Sequence, residues 1–106
     1  MDKKLNTTCD FNLIDGSTVK LTLNFYNLLQ LRGKNRPLYE RYNKIMQSSN
    51  KNNFDILDMV EIVYVGYVCA NIDAETVLSE SDFFKLCGSN MKAIGDAVNN
   101  LTRPKR

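Results

Sequence analysis

Asp55-Ile-Leu-Asp-Met-Val-Glu-Ile-Val-Tyr-Val-Gly-Tyr-Val-Cys-Ala-Asn71 is apolar on nearly every face beyond Glu61. A helix that is apolar all round belongs inside, so in a chain of 106 residues this segment is expected to be the central element, wrapped by the rest. Propensity alone pulls the other way, because Ile62-Val-Tyr-Val-Gly-Tyr-Val68 has the β-branched and aromatic content of a buried strand. Three features favour helix. Asn52 and Asp55 form a cap-like pair three residues apart; Asp55, Asp58 and Glu61 share a face and suit the positive end of a helix dipole; and the run is too long for an ordinary strand. The segment therefore reads as a helix with Val63, Val65 and Val68 buried and Gly66 admitting a close neighbour.

The flanking segments have to cover that helix. Cys9, Phe11 and Leu13 alternate with Asp10 and Asn12, and Val19, Leu21 and Leu23 alternate with Lys20 and Thr22, which is the period of a hairpin turning near Asp15-Gly16. A two-residue loop would set Leu13 against Thr18 and mix polar with apolar on each face. A three-residue loop, Asp15-Gly16-Ser17, pairs Leu13 with Val19, Phe11 with Leu21 and Cys9 with Leu23, and leaves one face apolar throughout. Gly16 then misses the third loop position, where such turns favour glycine. A lone hairpin is barely stable, so its apolar face must lie on helices.

Asn24 caps a short helix with Phe25, Leu28 and Leu29 at helical spacing and Gly33 as its stop. Pro37 fits the first turn of a second helix, in which Leu38, Tyr39, Tyr42, Ile45 and Met46 form one apolar face and Glu40 stands four residues before Lys44. Ser48-Ser-Asn-Lys-Asn-Asn53 is a polar loop, and Asn71-Ile-Asp-Ala-Glu-Thr76 is a connection. Ser79 with Asp82 resembles a capping box before Phe83, Phe84, Leu86 and Cys87, with Gly88 as the stop. Ser89 or Asn90 opens a last helix on which Met91, Ile94, Val98 and Leu101 recur. The expected fold is α+β and mainly α: an N-terminal β-hairpin packed on a bundle of about five helices around the central apolar helix. Residues 1–106 form a single domain, with 1–8 and 102–106 as frayed tails.

Composition narrows the function classes. There is no histidine, so a histidine-based triad or zinc cluster is excluded from this sequence. Cys9, Cys69 and Cys87 form no CxxC pair and read as small buried hydrophobes. Asp55, Asp58 and Glu61 are the one dense carboxylate set, better explained as dipole complements than as an acid–base pair. Asn71 to Asp82 has some calcium-loop spacing but carries Thr76 where the glycine belongs and ends on Asp82 rather than glutamate. Gly33-Lys34 follows no glycine-rich turn, so nucleotide binding has no support. No apolar stretch is long enough to span a bilayer, and the N-terminus lacks the apolar core of a secretory signal; a cytoplasmic protein is expected.

The formal charge of +2 hides a segregation. Residues 32–51 hold six bases and one acid, residues 52–82 hold seven acids and no base, and residues 83–106 hold five bases and one acid. Such blocks can pair internally or present two poles to partners. The stretch Arg32, Lys34, Arg36, Arg41 and Lys44 is the candidate partner-binding surface, with Tyr39 and Tyr42 beside it on the apolar face.

Taken in order, Val19-Lys-Leu-Thr-Leu-Asn-Phe-Tyr-Asn-Leu-Leu-Gln-Leu-Arg32, Leu38-Tyr-Glu-Arg-Tyr-Asn-Lys-Ile-Met46, Val63-Tyr-Val-Gly-Tyr-Val-Cys-Ala-Asn71 and Ser79-Glu-Ser-Asp-Phe-Phe-Lys-Leu86 resemble the tail assembly chaperones of long-tailed phages and prophages of Gram-positive bacteria. The resemblance spans roughly residues 10–105 and lies in a pattern of helices and aromatics, so no functional residue carries over individually. It implies a non-enzymatic protein of virion morphogenesis. Such a protein binds the tape measure protein, keeps it soluble and extended, and helps recruit the tail tube protein. It works in the host bacterial cytoplasm and is absent from the mature virion. Further copies of the chain are implied partners; no cofactor, membrane or nucleic acid is. The family also often makes a longer form by ribosomal frameshifting, and an end just after Pro104-Lys-Arg106 is compatible with the short form. Two alternatives of other classes are a small nucleic-acid-binding regulator using residues 32–44 and an enzyme using the acidic cluster.

Overall fold

The computed structural model describes residues 8–48, 55–88 and 90–102. Two strands, β1 (Cys9–Asn12) and β2 (Thr18–Leu21), are followed by α1 (Phe25–Lys34), α2 (Arg36–Ser48), α3 (Ile56–Ala70), α4 (Glu80–Cys87) and α5 (Met91–Thr102). This is the α+β, mainly helical architecture expected, with the apolar segment as its central helix. Among the described residues, no helix is long and apolar enough to cross a membrane.

Every residue from Ile62 to Cys69 is buried, Val63 and Val65 completely. β2 and all four other helices pack on α3, so it has no solvent face over those two turns. Full burial of each valine or isoleucine is worth about 1.5–3 kcal/mol, which outweighs the weaker helix propensity of β-branched residues. The Asp55 side chain caps the N-terminus by accepting from the Asp58 N–H, with Asp58 also in the first turn. Asn52, the other half of the expected cap pair, lies outside the described residues. At the far end two asparagines take up terminal carbonyls: Asn71 Nδ2 donates to Tyr67 O at 2.9 Å and Asn27 Nδ2 to Cys69 O at 2.7 Å.

The hairpin forms, but in a register two residues away from the expected one. Phe11 faces Val19 and Cys9 faces Leu21. Leu13 N–H donates to Ser17 O and Gly16 N–H to Leu13 O, so the loop is Ile14-Asp15-Gly16. Gly16 thus occupies the third loop position at φ +94°, and Asp15 Oδ1 accepts from both the Ser17 amide and hydroxyl. The turn chemistry chose the register; a slip of two leaves the same residues on the same faces, so hydrophobic alternation could not. Phe11 and Leu21 remain buried.

Other boundaries shift for local reasons. α1 is capped by Asn24, whose side chain accepts from the Asn27 N–H, and runs through Gly33 to Lys34, with Asn35 as the C-terminal cap. Of its expected apolar face only Leu28 is buried, together with Leu31; Phe25 and Leu29 are exposed. Pro37 does sit in the first turn of α2. Glu40 is held by Arg36 one turn earlier, at 3.1 Å, rather than by Lys44. Ser79 caps α4 and Asn90 caps α5. Ile94, Val98 and Leu101 are buried as expected, whereas Met91 is 60% exposed. Ser48 closes α2 and Thr102 closes α5, while residues 49–53 of the expected polar loop and 103–106 of the tail lie outside the described residues.

An aromatic cluster ties α3 to α4. Phe83 stacks on Tyr67 with ring centroids 4.8 Å apart and meets Tyr64 at 5.4 Å. Both hydroxyls then hold the connecting loop at one residue: Tyr64 donates to Leu78 O, and Tyr67 accepts from Leu78 N–H. Both tyrosines belong to the core.

Candidate functional site

The five basic residues singled out in the sequence are spread over several surroundings rather than along one open face. Arg41 reaches from α2 to the acidic block: its Nη2 donates to Glu80 Oε1 at 2.8 Å and its Nε lies 3.0 Å from Glu61 Oε2. That second approach is charge pairing without a directed hydrogen bond, since Glu61 Oε2 is buried and accepts none. Burial first, then the neighbouring Glu80 carboxylate, pushes the Glu61 carboxyl above the usual glutamate range, against the pull of Arg41. Lys34 Nζ donates to Ile72 O at 2.9 Å and stands 3.9 Å from Asp73. Arg36 is taken by Glu40. Lys44 is exposed on α2. The opposite charge blocks therefore pair with each other, α2 with α3 and α4 through Arg41, and α1 with the loop after α3 through Lys34.

Arg32 differs. It stands on α1 with its guanidinium carbon 5.9 Å from the centroid of the Tyr39 ring, and makes no ion pair among the described residues. It lines an open groove of about 370 Å³ between α1 and α2, with Phe25, Leu29, Tyr39, Tyr42 and Met46 as the main apolar walls. Phe25 is 88% exposed and Leu29 53%. Burial pushes the Tyr42 hydroxyl up to about 12, so the groove floor stays neutral at physiological pH.

Phe25 and Leu29 are the residues the sequence reading misplaced. The available signal is the surplus of apolar positions on α1: Phe25, Tyr26, Leu28, Leu29 and Leu31 cover more of the helix than one buried face can use. Leu28 and Leu31 turn inward, and Phe25, Tyr26 and Leu29 are left outside. Contiguous exposed apolar surface marks an interaction site more often than chance burial failure.

A second groove, of about 290 Å³, lies between the start of α3, α4 and the start of α5, lined by Ile56, Leu57, Val60, Phe84, Cys87 and Met91 among others. Burial pushes the Cys87 thiol up to about 11 and the Cys69 thiol up to about 12, so both are protonated, poor nucleophiles at neutral pH. Among the described residues, no group of three cysteine, aspartate or glutamate side chains is placed to hold a metal ion. Asp55 and Asp58 are occupied in opening α3.

No protein-family model matches this chain, and neither a curated protein nor a solved structure does.

Proposed function

We propose that this protein is a non-enzymatic tail assembly chaperone of a phage or prophage, binding the tape measure protein in the α1–α2 groove and assisting tail tube assembly. It acts in the host bacterial cytoplasm and leaves before the virion is complete. The observation that carries this reading is an open apolar groove, flanked by Phe25 and Leu29 and bordered by Arg32, within the run of helices whose sequence resembles that family. A long helical client needs apolar anchors and weak contacts repeated along its length, and a shallow groove on a small domain supplies one such contact per copy.

The charge pairing weighs against the nucleic-acid alternative. Lys34, Arg36 and Arg41 already contact oxygens of this chain, whereas a phosphate-tracking surface needs several cations free to replace counterions. The test is co-expression with the tape measure protein encoded nearby, followed by pull-down and a solubility assay. The long partner is expected to co-purify and to remain in solution only when this chain is present. If nothing co-purifies and the partner is equally insoluble either way, the chaperone reading fails. A DNA affinity falling steeply with salt would favour the regulator instead.

A further inference from the structure

We propose that the α1–α2 groove receives an amphipathic helix carrying a carboxylate beside its row of apolar anchors, with Arg32 as the receptor for that carboxylate; this rests on the groove being the client site. Phe25, Leu29 and Arg32 stand on successive turns of α1, and Tyr39, Tyr42 and Met46 do the same along α2. Seven residues of helix rise about 10 Å, so each wall matches two turns of a guest helix with anchors at i, i+4 and i+7.

The charge of the guest follows from what surrounds the groove. Residues 25–48 carry five bases and one acid, and that acid, Glu40, is held by Arg36. Among the described residues, no acidic side chain lines the groove. Arg32 lies over the Tyr39 ring, its guanidinium carbon 5.9 Å from the centroid, and has no ion pair among the described residues. A guanidinium without a carboxylate partner can hold one through two parallel hydrogen bonds. A second copy of the chain is a poorer occupant: a two-fold contact through this groove would bring Arg32 toward its counterpart, with no carboxylate among the described lining residues to receive either.

Two synthetic helical peptides test this. They share leucine anchors at i, i+4 and i+7, and one carries glutamates beside the anchors where the other carries lysines. Binding to the purified full-length chain is read by fluorescence anisotropy, with thermal melts confirming that each variant is folded. The acidic peptide is expected to bind about tenfold tighter than the basic one. Phe25→Ala should weaken it by about tenfold, as loss of an apolar anchor does. Arg32→Glu should invert the preference, so that the lysine peptide binds tighter. Equal affinity for both peptides, or a preference unchanged by Arg32→Glu, overturns the proposal. So does tighter binding of a single-stranded oligonucleotide, or a dimer that Phe25→Ala dissolves. A confirmed acidic preference without capture of the tape measure protein removes the chaperone reading and leaves the groove's chemistry standing. Capture of that protein, unchanged by Phe25→Ala and Arg32→Glu, does the reverse.

Discussion

Gly66 is where the hairpin meets the central helix. Its carbonyl accepts from the Thr22 N–H at 3.1 Å, and a Cβ placed there would stand 3.2 Å from both Leu21 Cβ and Leu101 Cδ1. Leu21 Cβ is fixed to the backbone of β2, so relief requires the strand to move. Gly66→Ala is expected to destabilise by about 1 kcal/mol, with overpacking outweighing the gain in helix propensity, and to lower Tm by about 5 °C. Gly95 offers the opposite case, for nothing lies within 4 Å of the position its Cβ would take. Gly95→Ala in the middle of α5 should therefore stabilise by about 0.5–1 kcal/mol. Parallel melts of the two variants check both signs. The tight approach at Gly66 and the burial of Val63, Val65 and Val68 were legible from residues alone, because a glycine in a wholly apolar helix has few other uses. The exposure of Phe25 was not. A strongly apolar residue at helical spacing reads as core unless the number of core-facing positions is already known.

At the scale of elements, local chemistry was readable where a side chain acts on its own backbone. Asn24 and Ser79 cap the helices they were expected to open, Asn90 rather than Ser89 caps α5, and Asp55, expected as the second member of a pair opened by Asn52, is itself the cap of α3; each capping bond spans three residues and needs nothing from the rest of the fold. The hairpin register was harder, since two registers put the same residues on the apolar face. Gly16 decided it, through its left-handed conformation at the third loop position. Gly16→Ala should cost about 1–2 kcal/mol for a side chain forced into that region. The expected signature is a lower denaturation midpoint with an unchanged slope, because the hairpin still forms. The turn is also pinned from outside: Ile14 N–H donates to Leu86 O, and a Cβ at Gly88 would meet Ile14 Cγ2 at 2.6 Å. Such a tertiary clamp leaves no trace in either segment's own pattern.

Across the whole molecule the charge blocks, which the sequence could assign either to internal pairing or to partners, meet at Arg41, Glu61 and Glu80. Glu61 binds its proton more tightly folded than unfolded, so its titration favours the folded state most at low pH. That contribution is lost as pH rises from its ordinary value of 4.5 through the higher folded one. Glu61→Gln removes the titration. The variant should gain on wild type as pH rises from 4.5 toward neutrality and be at least as stable at pH 7, as read from Tm against pH. A variant that loses ground over that range would show that attraction to Arg41 dominates burial. With these charges engaged, the groove beside Arg32 is left as the surface that best explains the exposed Phe25 and Leu29. The most direct test is recovery of a co-expressed tape measure protein by wild type, by Phe25→Asp in the α1–α2 groove, and by Leu57→Asp in the second groove. Both replaced side chains are exposed, so both variants should fold. Recovery is expected with wild type and Leu57→Asp and loss with Phe25→Asp; equal recovery by all three, or loss with Leu57→Asp alone, would contradict the assignment of function to this groove.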